Sequence, residues 1–149
     1  MKLPTKDEIN VYNSLDEITA CNHFLNKTLA EAEVLFRESS LAYGQDLMWM
    51  GFRAFAFYLQ AAINYLKSDY SEGDSDIINC LYSTLEYRWE EEDFLSLHNT
   101  INELINYVMN NYDKFEVDTD IYSDFLEKYR QLLNKLETAR SDCLESQGE

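Results

Sequence analysis

Polar side chains interrupt the most apolar stretch of the chain, residues 46–67, at Arg53, Gln60, Asn64 and Lys67, which are 7, 4 and 3 positions apart. At about 100° per residue these fall in one narrow stripe, and the rest of the circumference is apolar. Phe52, Phe55, Leu59, Ile63 and Leu66 line one side and Ala54, Tyr58, Ala61 and Tyr65 another. A helix of this kind must be covered on at least two sides, so residues 52–67 are predicted to be the centre of the fold.

The other apolar runs also repeat at three and four, and none alternates at two. Thr5 with Glu8, Ser14 with Glu17 and Thr28 with Glu31 are capping boxes, each satisfying two of the backbone donors left free at a helix start. They predict a helix or pair of helices whose buried face includes Val11, Tyr12, Leu15, Ile18, Phe24 and Leu25, with a kink or a turn near Asn13. A further helix carries Leu29, Ala32, Leu35 and Phe36 to about Glu38. Leu41, Ala42, Tyr43 and Gly44 read as a connection to the central stretch, and Gly51 as a bend ahead of Phe52.

Residues 67–76 are rich in side chains that compete for backbone hydrogen bonds and predict the longest loop. Asp74 or Ser75 caps an amphipathic helix with Ile77, Ile78, Leu81, Tyr82, Leu85 and Trp89 inward. The acids Glu90, Glu91, Glu92 and Asp93 oppose the dipole at a helix C-terminus, which predicts a break and a new start at Asp93. That next helix carries Phe94, Leu97, Ile101, Leu104, Ile105, Val108, Met109 and Tyr112. A polar connection over 113–120 leads to a last helix with Ile121, Tyr122, Phe125, Tyr129, Leu132, Leu133 and Leu136 inward, fading from Ser141. The expected fold is an all-α, single-domain bundle of five to seven helices over residues 1–140, with 141–149 a frayed acidic tail.

Composition agrees with long helices, because one Pro and four Gly provide little of the punctuation that hairpins need. A chain of 149 residues buries about 68–70% of its unfolded surface, enough for a core without staples. The three cysteines, Cys21, Cys80 and Cys143, are odd in number and outside any C-x-x-C spacing, as expected of reduced thiols in the cytoplasm. Residues 1–8 lead into charge instead of an apolar signal segment. The charges within 46–67 argue against a membrane span.

Charge changes the picture more. The net charge is −16, and residues 69–98 hold 9 acids against Arg88 alone, a net of −8 and half of the excess. Such a surface repels nucleic-acid phosphate and anionic lipid, so neither is an expected direct partner, and a basic protein is. The predicted partner-binding residues are Glu86, Tyr87, Trp89, Glu90, Glu91, Glu92 and Asp93. Met48, Trp49 and Met50 form a second candidate, an apolar patch ahead of the core helix, with burial in the core as the alternative.

Catalysis and metal binding find little support. Residues 69–76 imitate a calcium loop, but Gly73 stands fifth instead of sixth and Cys80 stands twelfth where a bidentate Glu is needed. Adjacent acids at 90–93 point in different directions around a helix, which is solvated charge and not a cation site. His23 and His98 lie 75 positions apart, and Cys21 and His23 face opposite ways on a helix. Arg53 is expected to pair with one of the many acids. No catalytic residue, metal or cofactor is expected. Glu31, Glu33, Asp46 and Glu86 are the acids to examine should folding assemble a small enzyme or ligand site.

Residues 14–66, about a third of the chain, carry Leu47-Met48-Trp49-Met50-Gly51 ahead of Ala54-Phe55-Ala56-Phe57-Tyr58-Leu59. In this they resemble a group of small, acidic, uncharacterised bacterial proteins with a Met-rich approach to an Ala-Phe-x-x-Tyr-Leu core helix. Those relatives often have a proline just after the glycine and another before the Ala pair, where this chain has Phe52 and Gln60. The resemblance implies a bacterial cytosolic protein and no established activity. The net −8 of residues 69–98 in a well-folded solitary domain leads to the expectation of an immunity- or inhibitor-like binding module. The alternatives are a nucleic-acid mimic occupying a DNA-binding protein, and a negative charge that serves solubility alone.

Overall fold

The computed structural model describes residues 2–122 and 124–148, and side chains as far as residue 142. Its order is α1 (Lys6–Ile9), α2 (Leu15–Phe24), α3 (Leu29–Glu38), α4 (Ser40–Trp49), α5 (Phe52–Lys67), α6 (Ser75–Arg88), α7 (His98–Asn110) and α8 (Phe125–Gly148). The bundle is all-α, and among the described residues there are eight helices, one more than the upper expectation, because α1 is a separate single turn. Three short 3-10 turns complete it, at Asp69–Ser71, Phe94–Leu97 and Tyr112–Phe115.

Helix α5 is the centre. Ala54, Phe55, Tyr58, Leu59, Ala61, Ala62, Ile63 and Leu66 are completely buried, and α1, α3, α4 and α7 all pack on it. Its polar stripe faces outward: Arg53 pairs with Glu8, Lys67 with Glu103, and Gln60 donates to Asn64 at 3.0 Å. The α7–α8 pair closes the other side through Ile101, Leu104, Ile105, Val108, Tyr129 and Leu136.

All three predicted capping boxes are present. Asn13 has φ 60°, so the break between α1 and α2 is a true turn through the left-handed region that Asn tolerates. This overturns one expectation: Val11, Tyr12 and Leu15 are 50, 86 and 83% exposed, and the buried apolar residue of α1 is Ile9. With α1 only one turn long, Val11 and Tyr12 lie in a loop and belong to no helical face. Leu41–Gly44 also differs from expectation, being helical within α4. Ser39 alone separates α3 from α4, and a Cβ on Gly44 would stand 3.2 Å from Cys80 Cβ, so the glycine sets how closely α4 and α6 approach.

After Arg88 the chain turns and re-enters helix through the 3-10 segment Phe94–Leu97, and regular α7 begins at His98, later than the expected start at Asp93. Helix α8 runs on to Gly148 through the segment read as a frayed tail. No proline or glycine interrupts 125–147, and propagation of a helix already started is favourable residue by residue.

Candidate functional site

Two basic side chains hold the fold together where helices end. The last carbonyls of a helix lack intrahelical donors, and at the end of α4 Arg88 reaches them from α6. Its Nε donates to Leu47 O at 3.0 Å and its terminal nitrogens donate to Met50 O and to Glu91 Oε1, the latter at 2.9 Å. The guanidinium lies 4.5 Å over the Phe55 ring and Arg88 is only 3% exposed. Burial pulls its ionisation below the usual arginine range, with the Glu91 charge opposing that. At the end of α5, Lys114 donates to Leu66 O at 2.6 Å and Ser68 O at 2.9 Å. The sequence reading missed both. The signal for Arg88 was its place on the stripe of Ile77, Leu81, Thr84 and Leu85, a charge on an otherwise apolar face.

The Arg88 clamp forms the floor of a cleft of about 580 Å³ between the α1–α2 loop, the α4–α5 junction and the end of α6. Its first wall is ordered by Glu17, whose Oε1 accepts from Val11 and Tyr12 N–H at 2.9 and 3.0 Å and whose Oε2 accepts from Ser14 N–H and Oγ at 3.1 and 2.7 Å. Burial pushes the Glu17 carboxyl up, but these hydrogen bonds outweigh it and hold it below the ordinary glutamate value. The second wall depends on Gly51, whose N–H donates to Ile9 O at 2.9 Å. A Cβ there would meet Glu8 O at 2.1 Å and Val11 Cγ2 at 2.7 Å, so only glycine lets α1 press against the start of α5. The third wall is Tyr87 with Trp49, their ring centroids 5.2 Å apart and their planes at 66°. Tyr87 is 60% and Trp49 37% exposed.

The two candidate groups of the sequence thus meet in one place, though not whole. Met48, Trp49, Tyr87 and Glu91 line the cleft. Met50 lines its floor but is buried at 1% exposure, correcting its assignment to an exposed patch. Trp89 is half-buried and packs elsewhere, on Phe94 with ring centroids 4.9 Å apart and with Lys135 Nζ 4.3 Å over its ring. Tyr87 and Trp89 are two residues apart at a helix end, about 200° around the axis, so only one of them can face the cleft. Glu86 lies beside Tyr82 on α6 and pushes its phenol up, after burial, which is the larger cause. Glu90, Glu92 and Asp93 are exposed on the turn.

The four acids marked for inspection stay apart. Glu31 is used in the α3 cap, Glu33 accepts from Asn64 at 3.5 Å, Glu86 is on α6, and Asp46 accepts from His23 Nδ1 at 2.7 Å. Burial pushes the Asp46 carboxyl up against the opposing pull of His23. Burial also pushes the Cys80 thiol up to about 11, aided by Asp76 and Asp74, which leaves little thiolate at neutral pH. Among the described residues no group of three or more His, Cys, Asp and Glu could hold a metal ion, and no helix is long and apolar enough to cross a membrane.

Compared with known proteins, the chain matches no family model, no curated protein and no solved structure. What the cleft can do therefore follows from its own residues: exposed rings at helix ends, a loop held by part-buried hydrogen bonds to Glu17, and exposed carboxylates.

Proposed function

We propose that the protein is a non-catalytic, cytoplasmic binding module that docks a basic protein partner at this cleft, in the manner of an immunity or inhibitor protein. The observation that carries the reading is the group of exposed Tyr12, Trp49 and Tyr87 around a cleft rimmed by Asp16 and Glu91. Tyr and Trp are the residue types that dominate binding energy when buried at an interface. The overall charge of −16 speeds approach of a basic surface and repels acidic ones. Arg88 and Lys114 are occupied internally, so they neutralise less of the outer surface than composition suggests. Mimicry of nucleic acid is less favoured, because the densest acids, 90–93, occupy a turn and not one straight helix face.

The test is retention of a basic protein from a lysate by the immobilised chain at about 50 mM and about 300 mM salt, repeated with a Trp49→Ala/Tyr87→Ala double variant. A basic protein retained by the wild type and released by the double variant supports the reading. Equal retention by both, or retention of acidic and basic proteins alike, overturns it.

A further inference from the structure

Resting on that reading, we propose that the cleft is an arginine socket: a guanidinium group of the partner lies on the exposed Trp49–Tyr87 ring pair and is neutralised by Asp16. The rings meet at 66°, an edge-to-face arrangement in which one ring does not cover the face of the other, and a cation is attracted to a ring face. The chain satisfies other aromatic faces from within. Arg37 lies 3.9 Å over Tyr70, Arg88 4.5 Å over Phe55 and Lys135 4.3 Å over Trp89. Among the described residues no cation of the chain lies over Trp49 or Tyr87.

Charge at the cleft points the same way. Its lining holds Asp16, Glu17 and Glu91 against Arg88, so three acids less one base leave −2. Arg88 is turned into the fold by its bonds to Leu47 O and Met50 O and engages Glu91 Oε1 at 2.9 Å, Glu17 spends both oxygens on its loop, and Asp16 remains exposed as the carboxylate for an incoming cation. Arginine fits this set better than lysine. Its guanidinium is flat and weakly hydrated, stacks on rings, and offers a fork of donors to a carboxylate, whereas an ammonium is a strongly hydrated point charge. A volume of about 580 Å³ is within the usual range for a ligand pocket and admits the whole side chain with its flanking backbone.

The experiment compares an arginine-rich nonapeptide, its lysine counterpart of equal charge and a serine counterpart, by calorimetry and intrinsic fluorescence. For the wild type the arginine peptide is expected to bind roughly five- to thirtyfold more tightly than the lysine peptide. Trp49→Ala should abolish that preference, and Tyr87→Ser, at an exposed position on another helix, should reduce it. Glu137→Gln, exposed on α8 and outside the cleft, removes the same charge and should leave it unchanged. Equal affinity of arginine and lysine peptides, both above serine, would overturn the socket and leave the basic-partner reading standing. Affinity no better than serine for either would overturn both.

Discussion

Replacing Arg88 by Met keeps an unbranched apolar stem over Phe55 while removing every donor from the end of α4. Two backbone carbonyls, Leu47 O and Met50 O, lose the charged donor that satisfies them. An unsatisfied buried acceptor costs about 1–3 kcal/mol, so the pair costs roughly 2–6 kcal/mol. Removing a buried charge recovers some desolvation energy, and replacing a whole ion pair by apolar groups can be neutral. Here the acceptors are main-chain atoms that the substitution leaves in place, so the net loss should stay near 2–4 kcal/mol. Urea unfolding followed by circular dichroism measures it, and in a chain of this size the melting temperature should fall by roughly 5–15 °C. Glu91→Gln separates the two roles of Arg88: the Glu91 side chain is 38% exposed, and loss of that ion pair should cost less than about 1 kcal/mol. A loss below about 0.5 kcal/mol for Arg88→Met, or one no larger than for Glu91→Gln, would refute the assignment of Arg88 as the clamp of α4.

Two further substitutions test how the cleft is held. Gly51→Ala places a Cβ 2.1 Å from Glu8 O, so α1 must move away from α5, and overpacking of this kind costs about 1–3 kcal/mol; unchanged stability and unchanged amide exchange at Gly51 would contradict the close contact. Glu17→Gln sets an amide NH₂ against backbone donors. The folded-state carboxyl is held below its ordinary 4.5, so its contribution is present above that pH and is lost as pH falls through the lower folded value. The stability gap between wild type and variant should therefore be about 1–3 kcal/mol at neutral pH and should narrow in acid, and a gap independent of pH would refute the role.

The sequence by itself determined most of the helices, though not the start of α4 or the end of α8, because capping and amphipathic spacing act within a few residues. The three capping boxes, the Asp74 cap and the outward stripe of Arg53, Gln60, Asn64 and Lys67 all depend on side chains three, four or seven positions apart. The acids and aromatics of the candidate site were legible too, as types and neighbourhoods: Trp49 ahead of the core helix, and Tyr87 and Glu91 in the acidic stretch. Tertiary structure alone decided which of them share a surface. Trp49 and Tyr87 are 38 positions apart and meet because α4 and α6 pack closely across Gly44. Val11 and Tyr12 looked like core by spacing and are exposed, because a one-turn α1 ends before them and Glu17 folds their loop outward. Arg88 sits where its own helix calls for an apolar side chain, since the carbonyls it serves belong to a helix about forty residues away. Local periodicity reports what a residue's own element needs, and those demands come from the end of another.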